Sequence, residues 1–102
     1  MVLLHIIIKE PAQVKEIVEL LIEERLITGV TVTETISSFK NSKGEIETVL
    51  TNMLIGRTKG LLFSTIDKLL REKCGDKMPV LYAMPVVNMD WEQGEKLIKE
   101  IK

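Results

Sequence analysis

Two groups of side chains in this 102-residue chain could do chemistry. The first is the pair of soft ligands His5 and Cys74, the only histidine and the only cysteine. A transition metal needs several such ligands with compatible geometry. His5 lies inside the apolar run Val2 to Ile8, and Cys74 sits at a helix end beside Gly75, so each also has an ordinary structural reading. Asp76 could join Cys74 if a neighbouring subunit supplied a further carboxylate. The second group is ionic and sits beside turns: Lys40, Lys43, Arg57, Lys59, Asp76 and Lys77. Phosphate binding needs convergent backbone N–H groups and positive charge, which Arg57-Thr58-Lys59-Gly60 and Gly75-Asp76-Lys77 could provide at strand–helix junctions. The plain alternative is that these are solvated turn residues, since a lone Gly-Asp-Lys is not a phosphate-loop motif. Catalysis has less to work with. No second histidine can act as a base, and Ser37 and Ser38 have no partner implied by spacing. The expectation is a binding protein, not an enzyme.

The elements that must position these groups follow from periodicity. Val2 to Ile8 reads as a buried strand. Pro11 suits the first turn of a helix whose stripe is Val14, Ile17, Val18, Leu21, Ile22 and Leu26. Gly29 is expected to end that helix and open the second strand. Thr31 to Lys59 reads as two long strands joined by a polar turn at Asn41-Ser42-Lys43-Gly44. Each arm has about ten residues or more, against a typical five to six. Leu62, Phe63, Ile66, Leu69 and Leu70 mark a second helix closed by Gly75. Met78 to Val87 is a fourth strand with Pro79 and Pro85 near its ends, as an edge strand tolerates. Asp90 with Gln93 caps a last helix whose apolar face is Leu97, Ile98 and Ile101.

This order defines one domain over residues 1–102, in the α+β class. It is a ferredoxin-like β-α-β-β-α-β sandwich with a long hairpin between its second and third strands and a C-terminal helix. Both main helices lie on one face of the sheet. The strands are nevertheless apolar on both sides: Leu3, His5 and Ile7 oppose Leu4, Ile6 and Ile8, and Val49, Met53 and Ile55 oppose Ile46, Leu50 and Leu54. Something must cover the second face, and self-association with closed symmetry is the simplest cover.

Composition narrows the partners. A net charge of −1 provides no field toward nucleic acid or an acidic membrane, and aromatics at 4% leave few stacking platforms. No apolar run is long enough for a transmembrane span, and no signal-peptide pattern is present. With a lone cysteine, these features give a cytoplasmic expectation.

Several strings resemble the CutA family of divalent-cation tolerance proteins, which are trimeric members of the PII-like group. They are Leu21-Ile-Glu-Glu-Arg-Leu26, Ile36-Ser-Ser38, Lys43-Gly44-Glu45-Ile46-Glu47, Leu54-Ile55 with Arg57-Thr58-Lys59, and Met78-Pro79. The resemblance runs from Val2 to about Val87. It implies a homotrimer whose inter-subunit clefts bind ligand, with Lys40 and Lys43 supplied from an adjacent subunit's hairpin. Where the family carries its proposed copper-ligand Cys and His, this chain has Thr28-Gly29-Val30 and Cys74-Gly75-Asp76-Lys77. Gly29-Val-Thr-Val-Thr-Glu34 and Gly75-Asp76-Lys77 are similar to segments of the signalling PII proteins. The ligand classes left open are therefore a divalent metal and a nucleotide or other small anion. A trimeric scaffold for a partner protein is the third reading.

Overall fold

A computed structural model describes all 102 residues. Strand β1 is Val2–Ile8, followed by helix α1 at Pro11–Glu23, β2 at Thr28–Lys40 and β3 at Ile46–Thr58. A 3-10 turn at Gly60–Leu62 leads into α2 at Phe63–Cys74. A second such turn at Gly75–Lys77 precedes β4 at Val80–Pro85, and α3 spans Trp91–Glu100. The sheet order is β2-β3-β1-β4 with every pair antiparallel. Each helical crossover thus skips one strand, which is the split β-α-β arrangement the element order predicts.

The core lies between the sheet and the helices. Leu4, Ile6, Ile8 and Leu54 on the sheet meet Ile17 and Leu21 of α1 and Ile66 and Leu70 of α2, all fully buried. Each such side chain contributes about 1.5–3 kcal/mol by leaving water. Leu97 of α3 and Ile101 just after it extend the core, but Ile98, placed on the same face by periodicity, is exposed. Asp90 caps α3 as expected, its Oδ2 accepting from the Gln93 N–H at 3.2 Å. Trp91 at the start of α3 lies 78% exposed.

One boundary differs from the sequence reading. Gly29 does not end α1. The helix stops at Glu23, and Arg25 takes the left-handed conformation with φ 58°. The Leu26 N–H then donates to the Leu21 carbonyl and the Arg25 N–H to the Ile22 carbonyl, the paired closure of a Schellman motif. Gly29, at φ 63°, sits within β2 where the register slips between Thr28 and Thr31. It makes a bulge instead of a cap.

The hairpin is long because β3 outruns β1. Ile8 pairs with Asn52, and from Thr51 to Ile46 the third strand pairs with β2 alone. At the tip, Asn41 Oδ1 accepts from the N–H groups of Lys43 and Glu45 at 2.9 and 3.1 Å, and Gly44 supplies φ 78°. The arm gives the molecule a 48 Å long axis against 27 and 20 Å across.

Candidate functional site

The structure divides the six ionic candidates among three places. Lys40 and Lys43 stand at the exposed arm tip. Arg57 pairs across from Leu3 near the start of β1, whereas Asp76 and Lys77 precede Val80, which pairs with Ile7 near its end. Arg57 and Lys77 therefore occupy opposite ends of the sheet, and the fold of the chain does not bring them together.

At the Arg57 end, α3 is fastened by cations from two other elements. Arg25 Nε donates to the Glu100 carbonyl and its Nη2 to that of Lys99, both at 3.2 Å. Lys59 Nζ donates to the carbonyls of Ile101 and Lys102 at 3.1 and 2.9 Å. Positive charge at a helix C-terminus satisfies orphan carbonyls and opposes the helix dipole. Lys59, a ligand candidate by sequence, thus has a structural use. Arg57 lies beside it, its guanidinium against Gly29, where a Cβ would collide with it. It lines an open polar cleft of about 470 Å³ together with Thr28, Gln93, Lys96 and Glu100. The α3 residues were missed in sequence, although Gln93, Lys96 and Glu100 recur at helical spacing on one polar face.

At the other end a smaller pocket of about 290 Å³ holds Lys9, Gln13, Asp76 and Lys77. Gln13 Nε2 donates to the Lys77 carbonyl at 3.3 Å and ties α1 to the turn that begins at Gly75, φ 59°. Lys9 Nζ lies 3.9 Å from the centre of the Phe39 ring, a cation–π contact linking this end to the arm. The sequence does not mark Lys9, because an isolated lysine after a strand carries no local signal.

His5 and Cys74 do not converge. His5 is on the open face, stacked on Tyr82 with ring centroids 5.0 Å apart, and both its ring nitrogens are buried without a partner. Cys74 ends α2 on the opposite, helical side and packs against the core. Burial raises its pKa, with Lys73 opposing and Glu16 adding to the shift, so the thiol stays protonated. No group of three or more His, Cys, Asp or Glu side chains lies close enough to hold a metal. Within one chain the residues do not fit a metal ion.

The open face of the sheet is also apolar. Leu3 and Ile7 of β1, Met53 and Ile55 of β3, and Val80 and Met84 of β4 all lie on it, the last two exposed and the others half-buried. None of the helices is long and apolar enough to cross a membrane.

The fold and its arm define a class, the ferredoxin-like α+β sandwiches with an extended hairpin. The sequence model of the CutA1 divalent ion tolerance protein family matches residues 2–93. The chain belongs to that family. CutA1 from Pyrococcus horikoshii superposes with a TM-score of 0.90 at 20% identity, covering 100% of this chain and 99% of the other. The divalent cation tolerance protein from Thermus thermophilus gives 0.89 at 19% identity, with both chains covered fully. A protein from Archaeoglobus fulgidus described as a periplasmic divalent cation tolerance protein gives 0.90 at 18%, again over the whole of both chains. At these identities the likeness establishes the fold. Among curated protein sequences none matches this chain.

Proposed function

We propose that the chain serves divalent-cation tolerance, or signalling related to it, as a non-enzymatic cytoplasmic homotrimer that binds a small ligand in clefts between subunits. One observation carries the assembly: the arm presents Ile36, Ile46 and Leu50 to solvent along one face, while both sheet edges, β2 and β4, are unpaired. An exposed apolar strand with free backbone groups is a template for another chain. Joining the β2 edge of one copy to the β4 edge of the next is a head-to-tail contact, which gives a ring when the rotation between copies closes. That closure would bring an arm tip, with Lys40 and Lys43, toward a neighbour. Light scattering at micromolar concentration tests it. A mass three times the 11.6 kDa chain is expected, and a monomer overturns the proposal.

The metal enters through the family alone. Titration calorimetry with copper and zinc should show heat only if subunits combine their ligands, and binding that survives Cys74→Ser removes Cys74 from the site. The pocket of Lys9, Gln13, Asp76 and Lys77 favours a second reading, a PII-like sensor for a nucleotide or small anion. Adenine nucleotides should then raise the melting temperature, as any native-state ligand does, and Lys77→Ala should abolish the rise. A flat response in the parent chain ends that reading.

A further inference from the structure

The geometry points to the cleft between α3 and the start of β2 as a binding site for a small hydroxylated oxyanion. All its lining residues are brought together within one chain. The reasoning begins with the three arginines. Arg71 pairs with Asp67 at 3.2 Å, and Arg25 donates to the carbonyls of Glu100 and Lys99. Arg57 alone has no carboxylate or carbonyl acceptor, although its guanidinium offers five donors in a fixed fork.

The backbone makes room for that fork. Gly29 at φ 63° forms the bulge, and its missing Cβ leaves the space in which the guanidinium lies. The rest of the cleft accounts for its own charges. Glu100 Oε2 accepts from Thr28 Oγ1 at 3.0 Å, and its Oε1 is 3.7 Å from Lys96 Nζ. Lys96 and Glu100 thus balance each other, and the surplus positive charge is that of Arg57. A planar guanidinium matches a carboxylate or phosphate with two parallel hydrogen bonds. Around it, the Gln93 amide can donate and accept, and the Thr28 hydroxyl, its proton given to Glu100, can still accept, which suits ligand hydroxyl groups. Leu97 is the single apolar lining residue, so an apolar tail has little to rest on. A volume of about 470 Å³ admits a compact metabolite.

Titration calorimetry of the whole chain with inorganic phosphate and, separately, with citrate distinguishes phosphate from hydroxycarboxylate recognition. Chloride at matched ionic strength serves as the control. Saturable binding of one anion per chain is expected for at least one probe. Arg57→Gln should weaken it about tenfold or more, since hydrogen bonds to charged groups are the strong ones. Lys96→Gln should weaken it less, and Lys77→Ala, at the far end of the sheet, should leave it unchanged. No saturable heat from either anion overturns the proposal, as does parent-like affinity in Arg57→Gln. If that variant does not fold, unchanged affinity in the exposed Lys96→Gln overturns it instead. Loss of binding in Lys77→Ala would assign the anion to the other pocket and also overturn it.

Discussion

Leu54 and Leu50 lie four residues apart on the same face of the same strand, yet Leu54 is 0% exposed and Leu50 is 65% exposed. Leu54 faces the helices, whereas Leu50 belongs to the arm, which pairs with β2 alone and has no helix above it. The helical face of the sheet's body is therefore finished within one chain, and the same face of the arm is not. Residue type does not separate the two regions. Ile36, Ile46 and Leu50 are as apolar as Ile6, Ile8 and Leu54, and only the cover differs. Apolar side chains retained where no intrachain cover exists are most simply explained by cover from another chain.

The largest expected effect tests that contrast directly. Leu54→Ala should cost about 2–5 kcal/mol of unfolding free energy at any protein concentration, since it opens a cavity in a closed core. Leu50→Ala should change the stability of an isolated chain by no more than about 0.5 kcal/mol, as ordinary surface substitutions do. In an assembled state it should instead lower the melting temperature in a concentration-dependent way. Denaturation followed over a hundredfold concentration range separates the two cases. Equal, concentration-independent losses at both sites would end the contrast between body and arm.

The sequence revealed what local rules govern. The strands, the Asn41–Gly44 turn, the Gly75 closure of α2 and the Asp90 cap are each set by residues within a few positions of one another. The sequence did not reveal what depends on distant pairing. Arg25 reaches α3 across 74 residues and Lys59 reaches Ile101 across 42, so neither helix-end contact leaves a local trace. The same holds for the candidate site. Arg57 was visible as a cation beside a turn, but its lack of an acceptor depends on where every other group ends. Ile98 belongs to the apolar face that the sequence marks yet stays exposed, because period 3.6 marks a face and cannot say which part of it docks.

Two smaller effects sharpen the contrast. Gly29→Ala forces a side chain into a left-handed conformation and onto the Arg57 guanidinium, so a loss of about 1–3 kcal/mol is expected. Calorimetric melting would show it, and a neutral result would mean that the bulge is free to rearrange. Two hydroxyls then compare body with arm. Thr58 Oγ1, fully buried in the body, donates to the Leu26 carbonyl at 2.6 Å. Thr48 Oγ1 and Ser38 Oγ are 2.8 Å apart on the exposed arm. Thr58→Val should cost about 1 kcal/mol in urea titration, a typical net value for a buried hydrogen bond. Thr48→Val should cost close to nothing, because water replaces the partner. A larger loss at Thr48 would show that the arm is covered even in the free chain.

The smallest effect concerns Cys74, which belongs to the covered side of the molecule while His5 belongs to the open one. Burial raises the Cys74 pKa, partly opposed by Lys73 and aided by Glu16, so the folded state holds the thiol proton more tightly than the unfolded state does. A group raised in this way contributes stability that is fully present below its unfolded pKa and fades as pH climbs through the folded one. The stability difference between the parent chain and Cys74→Ala, read from urea midpoints, should therefore be flat below about pH 8 and shrink above it, where cysteine begins to ionise. A difference that grew with pH would mean that the folded chain favours the thiolate. Cys74 would then face a cation instead of the core, and it would return to consideration as a metal ligand.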